Sequence, residues 1–127
     1  MNWYHFCNDV SKHAGPFIEY VYLGSERHFW GEKDKYKNFR RFTNHEVSVI
    51  ANSYASNFIL RGEEFRFLKT EGDIFVYESS TRSLACGKFN GGFLIVISCM
   101  FSGRPMAAEY CKRSVEYGLR CLNTSTS

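Results

Sequence analysis

The sequence of 127 residues lacks the features of a membrane, secreted or nucleic-acid-binding protein. Its first residues are amphipathic, with Asp9 and Lys12 where a signal peptide would have an apolar run. The longest apolar stretch, residues 91–101, suits a strand and is too short to span a membrane. The net charge of +3 comes without a dense Lys/Arg stripe. We therefore expect a cytoplasmic protein with no nucleic-acid partner.

Paired cysteines are also missing. The cysteines are odd in number, and none forms a C-x-x-C pair. This pattern predicts free thiols in a reducing compartment, with Cys86, Cys99 and Cys111 as buried structural residues. The five cysteines are Cys7, Cys86, Cys99, Cys111 and Cys121.

No catalytic motif is present. Gly87–Lys88 lacks the other residues of a phosphate-binding loop, and His45–Glu46 is followed by Ser48–Val49 instead of a second metal-binding histidine. A G-x-S-x-G nucleophile motif is missing, and no histidine has metal-ligand spacing to a cysteine. Only a Cys/His pair assembled in space is left open. We expect no enzyme activity, no catalytic residues, no cofactor and no metal.

The sequence is instead rich in aromatic residues, at 17%, and has the length of one domain, residues 1–127. Helical spacing of apolar residues predicts a helix from Trp3 to Val10, closed by Gly15–Pro16. A hairpin follows at 17–31, then an irregular charged segment at 32–41. Thr43 and Glu46 have capping-box spacing for a second helix.

From Phe58 onward the apolar residues alternate, which indicates strands separated by turns near 71–73, 79–81 and 90–92. A last helix is predicted from Met106 to Leu122, after a lead-in at 102–105. Neighbouring strands joined by short turns pair antiparallel. The fold class is therefore α+β: a central antiparallel sheet of six or seven strands, the N- and C-terminal helices on one face, and the Thr43 helix on the other.

The last helix has two apolar stripes, although a helix with one buried face needs only one. The second stripe either packs under the N-terminal helix or forms a partly exposed aromatic binding surface, and the sequence leaves both open. At about 100° per residue, the first stripe comprises Cys111, Val115, Gly118, Leu119 and Leu122, and the second comprises Tyr110, Ser114, Tyr117 and Cys121.

Taken together, several segments resemble profilins. Trp3 and Phe6 are similar to the Trp and Tyr of the profilin N-terminal helix, and Trp30 to the second profilin tryptophan. Residues 60–69 resemble a profilin stretch with a Leu, a Gly and an alternating strand. Residues 105–111 resemble the Pro-Met…Cys entry to the profilin C-terminal helix. Element order and length also agree, so the resemblance covers nearly the whole chain.

The resemblance implies a cytoplasmic, cytoskeleton-associated regulator that binds proline-rich proteins. The implied polyproline-binding residues are Trp3, Phe6, Trp30 and Tyr117, where Tyr117 replaces the histidine of many animal profilins. A polyproline II helix is preorganised, and flat rings with polar tips suit its proline rings and exposed carbonyls.

The resemblance also implies weak binding of monomeric actin, through Lys69 and Lys112. Glu64, Tyr77 and Ser79 stand where typical profilins are basic, which should weaken attraction to an acidic partner. Phosphoinositides are a further implied partner. The basic run that could attract them is diluted by Glu32 and Asp34, and it comprises Lys33, Lys35, Lys37, Arg40 and Arg41.

Two alternatives accompany this interpretation. One is a profilin-like module that does not bind actin. The other is an unrelated sensor or interaction domain of PAS-like or longin-like type. A PAS-like domain should hold a ligand cavity inside its sheet, whereas a profilin should have a filled core and an aromatic groove between its terminal helices.

Overall fold

The computed structural model describes residues 2–13, 16–99 and 107–125, without the side chains of residues 124 and 125. Its helices are α1 (Trp3–His13), α2 (Asn44–Ala51) and α3 (Ala107–Ser125). Its strands are β1 (Ile18–Gly24), β2 (Phe29–Asp34), β3 (Phe58–Leu60), β4 (Glu63–Glu71), β5 (Ile74–Glu78), β6 (Arg82–Phe89) and β7 (Gly92–Cys99). All neighbouring strands pair antiparallel in the order β2-β1-β7-β6-β5-β4-β3. The predicted α+β class and antiparallel sheet are confirmed.

The sheet is covered on both faces, because successive side chains of a central strand belong to two different hydrophobic cores. In β7, Leu94 and Val96 belong to the core under α1 and α3, whereas Ile95 and Ile97 belong to the core under α2. Successive side chains of a strand point to opposite faces. The terminal helices therefore share one face and α2 lies on the other, as predicted.

Local boundaries follow from hydrogen bonds at the ends of the elements. The predicted capping box is present: the Glu46 amide donates to Thr43 at 3.1 Å, and the Thr43 amide donates to the Glu46 carboxylate at 2.9 Å. The irregular segment was predicted too long, because β2 continues to Asp34. The Asp34 carboxylate then organises the following loop by accepting from the amides of Phe39 and Arg40. The calls on Gly15 and on residues 102–106 lie outside the described residues.

Two glycines let the terminal helices approach the sheet closely. A Cβ on Gly118 of α3 would collide with Leu94 and lie 3.1 Å from Val10 of α1. A Cβ on Gly31 of β2 would lie 2.8 Å from the Trp3 Cβ. Close packing of this kind fixes α1 against both β2 and α3. No helix in the described parts of the chain is long and apolar enough to cross a membrane.

Candidate binding surface on the terminal helices

An aromatic cluster forms where the start of α1 meets β2. Asn2 caps α1 by accepting hydrogen bonds from the amides of Tyr4 and His5, at 3.0 and 3.2 Å. The Trp3 ring then stacks on Trp30, with centroids 6.0 Å apart and an interplanar angle of 29°. Phe6 meets Trp3 edge-on at 6.1 Å. Both tryptophans are half-buried, so each packs against the fold and still presents ring surface to solvent.

A groove of about 460 Å³ runs beside this cluster, between α1 and α3. Phe6 belongs to both, because it contacts Trp3 and lines the groove. Tyr117 lines the opposite wall, and His13 stacks on its ring with centroids 4.1 Å apart. The lining residues are Asn2, His5, Phe6, Asp9, Val10, Tyr117 and Cys121. The α1/α3 aromatic surface, as we name it, consists of this groove and the Trp3–Trp30 stack.

Electrostatics in the groove centre on the Tyr117 hydroxyl. Its hydrogen bond with the Cys121 sulfur raises the pKa of Tyr117 above the usual tyrosine range, and the nearby Asp9 carboxylate acts in the same direction. The hydroxyl therefore stays protonated at neutral pH. Sulfur is a weak acceptor. A stronger acceptor entering the groove, such as a peptide carbonyl, can replace it.

The structure brings the four residues that the sequence analysis selected to one side of the molecule. Trp3, Phe6 and Trp30 form one set of ring contacts, and Tyr117 lines the same groove as Phe6. Their burial differs. Phe6 is only 8% exposed and supports the surface from below, whereas the other three are half-buried.

Sequence reasoning missed the polar wall of the groove. His5 and Asp9 line it, and His13 covers Tyr117. The sequence analysis placed a helix here and selected only its apolar residues. The signal was the spacing of Asn2, His5 and Asp9, which repeats at helical intervals and forms a stripe bordering the apolar one. The second stripe of α3 divides: Ser114 is buried, while Tyr117 and Cys121 line the groove.

The whole architecture is similar to a solved profilin. A crystal structure of profilin from Schizosaccharomyces pombe superposes with a TM-score of 0.63, over 94% of this chain and 98% of that one. This chain has a profilin-like fold. The sequence identity is 15%, so the likeness concerns the fold alone. No protein-family model matches the sequence, and no curated protein matches it.

The two lysines implied as actin-binding lie on a different surface of this profilin-like fold. Lys112 of α3 is 8% exposed, and its ammonium lies 2.5 Å from Glu71, 2.9 Å from Glu109 and 3.3 Å from Glu116. Lys69 of β4 pairs with Glu109 at 3.3 Å and with Glu71 at 3.7 Å. Both lysines are therefore paired with carboxylates of the same chain, Lys112 in a buried position and Lys69 in an exposed one. We name this group the Lys69–Lys112 network.

The contacts within the Lys69–Lys112 network shift the pKa values of its members. The hydrogen bonds from Lys112 to Glu71 and then to Glu109 raise the pKa of Lys112. The same bonds hold the pKa of Glu71 and of Glu109 below the usual glutamate value. Tyr77 and Ser79, two of the positions at which typical profilins are basic, are each 1% exposed. They present no side chain at the surface, so their effect on charge there is small.

The predicted basic run follows β2 and its loop. Arg41 lies 3.6 Å above the Phe29 ring and pairs with Glu32 at 3.3 Å, and the Lys35 ammonium donates to the Pro16 carbonyl at 2.7 Å. Within the described residues, the other three cations of the run form no ion pair; they are Lys33, Lys37 and Arg40.

The cysteines form no disulfide, as predicted. Burial raises the pKa of the Cys7, Cys86 and Cys111 thiols to about 12, which keeps them protonated and unreactive. Cys99 differs from the prediction, because it is partly exposed and its thiol donates to Glu19 at 3.5 Å.

Proposed function

We propose that this protein is a profilin-like binding module that takes proline-rich segments on its α1/α3 aromatic surface. The observation that carries the proposal is the Trp3–Trp30 stack at 6.0 Å, continued through Phe6 to Tyr117 on a third element. A soluble protein that leaves large rings half-exposed on adjacent elements commonly uses them for binding. The cellular setting that fits is cytoplasmic and cytoskeleton-associated.

The chemistry suits a polyproline II helix. Such a segment has no internal hydrogen bonds and is already extended, so little conformational entropy is lost when it binds. Proline rings pack on flat aromatic faces, and indole N–H and phenol O–H groups donate to its exposed carbonyls. Trp3, Trp30 and Tyr117 supply both kinds of contact.

The test is a titration with capped decaproline followed by tryptophan fluorescence. Both tryptophans of the chain belong to the proposed surface, so binding should change the emission. A few stacked rings bury limited area, and we expect a dissociation constant on the order of micromolar to sub-millimolar. Tyr117→Ala should weaken binding while the protein stays folded.

The matched control is Tyr54→Ala. Tyr54 is 57% exposed and contacts Phe75 and Lys88 at another site. Its loss should leave decaproline affinity unchanged. Absence of binding by the parent protein would refute the proposal. A folded Tyr117→Ala protein with unchanged affinity would remove Tyr117 from the site.

For monomeric actin we propose weak binding or none. The support is the Lys69–Lys112 network, in which Glu71 and Glu109 already neutralise the two lysines. An acidic partner would have to displace these carboxylates. Polymerisation and sedimentation assays at near-physiological salt test this, with Lys69→Glu as the variant. Strong monomer sequestration by the parent protein would contradict it.

For phosphoinositides we propose a weak, salt-dependent attraction through Lys33, Lys37 and Arg40. Arg41 and Lys35 contribute less because they are engaged within the fold. Co-sedimentation with vesicles that contain phosphoinositide should show binding that fades as salt rises. Equal binding to neutral vesicles would contradict an electrostatic mechanism.

A further inference from the structure

The groove between α1 and α3 has a negative charge on one wall, and this charge indicates which proline-rich segments the groove would prefer. Asp9 is the one carboxylate among the groove-lining residues, and it is exposed. The other residue of this wall that can carry charge is His5. Across the described residues, Asp9 forms no ion pair. Lys12, on the same helix as Asp9, does not line the groove.

The carboxylate also acts on the opposite wall. Asp9 is among the groups that raise the pKa of Tyr117, so its field reaches the hydroxyl of the aromatic residue that would contact a ligand. A ligand lying between α1 and α3 would therefore pass close to a carboxylate that has no cationic partner. The remainder of the lining is largely apolar or neutral.

We propose that the groove prefers proline-rich segments carrying a lysine or arginine, with Asp9 as the residue that reads the positive charge. This inference rests on the proposed binding of proline-rich segments. The partner is thus a basic proline-rich peptide, and proline-rich segments with acidic residues are disfavoured. Capped decaproline has no charge, so its affinity reports the ring contacts and hydrogen bonds without an ion pair to Asp9.

The test compares capped proline-rich peptides of equal length that differ at one central position. The three peptides carry Lys, Gln or Glu, where Gln controls for the replaced proline. At low ionic strength the Lys peptide should bind about two- to fivefold more tightly than the Gln peptide, the range of an exposed ion pair. The Glu peptide should bind more weakly by a similar factor. Both differences should shrink as salt shortens the screening length to less than about 10 Å.

Asp9→Asn should abolish the difference between the peptides, because it removes the negative charge and keeps the shape of the side chain. The matched control is Asp73→Asn, which removes an exposed charge from the turn between β4 and β5, outside the groove. It should leave the Lys preference intact. The comparison of the three peptides uses the parent protein, so the charge preference can be tested even if Asp9→Asn does not fold.

The outcomes separate the two proposals. Decaproline binding without discrimination among the Lys, Gln and Glu peptides would overturn the charge preference alone. A Lys preference that survives in Asp9→Asn would overturn the role of Asp9. Failure of all proline-rich peptides to bind would overturn this inference together with the proposed function.

Discussion

The α1/α3 aromatic surface and the Lys69–Lys112 network both include residues of α3, yet the two sites differ in how accessible their functional groups are to a partner. Tyr117 presents a half-buried ring beside an open groove. Lys112, five positions earlier, has three carboxylates within 3.3 Å. A ring can pack on the fold with one side and bind a partner with the other. A charge neutralised by its own chain has little left to offer an external partner.

The greatest change that we expect is in stability, and it distinguishes a residue that supports the aromatic surface from one that would contact the ligand. Phe6→Ala should lower the free energy of unfolding by about 3–5 kcal/mol, because Phe6 is buried in the core under the terminal helices. Tyr117→Ala should cost much less, since its ring is only half-buried. Urea unfolding at pH 7 measures both. An equal loss of unfolding free energy in the two variants would mean that Tyr117 is a core residue like Phe6.

Binding affinity gives the next largest effect. Trp30→Ala should lose about 1–3 kcal/mol of decaproline binding, the range for truncation of an aromatic anchor. Trp30 stacks on Trp3 and meets Phe89 edge-on, so its ring connects the surface to β6. Calorimetry is the suitable measurement, because the variant removes one fluorophore. Full affinity in a folded Trp30→Ala protein would confine the site to the groove.

A smaller effect concerns the charged surface and its dependence on pH. The pKa of Glu71 and of Glu109 is lowered in the folded state, mainly by Lys112. Their contribution to stability is therefore present above the usual glutamate pKa of about 4.3 and is lost as the pH falls through the lower folded values. Lys112→Met should make stability fall less steeply as the pH is lowered through and below that usual value.

The control for this measurement is Lys12→Met, which removes an exposed lysine from α1. Urea unfolding across the pH series should show the same acid slope for this variant as for the parent. An unchanged slope in Lys112→Met would show that solvent screening cancels the network, as it does for many exposed ion pairs.

The last prediction compares the rates at which two cysteines of α3 are alkylated, and it requires no substitution. Cys111 is buried, and burial raises the pKa of its thiol to about 12, whereas Cys121 lines the groove. An alkylating reagent should modify Cys121 in the folded protein and leave Cys111 intact. Decaproline should slow modification of Cys121. Mass spectrometry of peptides reports both, and rapid labelling of Cys111 would mean that α3 opens from the sheet.

Local patterns in the sequence were enough to predict the elements and their order. A short continuous apolar run specifies β7, the capping box specifies the start of α2, and the apolar stripe through Cys111 and Val115 specifies the buried face of α3. These features depend on neighbours within a few positions, because hydrogen bonding and side-chain periodicity are local. The aromatic residues of the proposed site were also selected from sequence.

The surroundings of those residues depend on contacts between elements that are distant in sequence. The sheet order brings β2 beside β1 and next to α1, which stacks Trp30 on Trp3 and buries Phe6 beneath them. The packing of α1 on α3 sets His13 on Tyr117, more than a hundred residues further along the chain. The enclosure of Lys112 by Glu71 likewise needs β4 and α3 to meet. Such pairings depend on distances between elements, which sequence spacing does not contain.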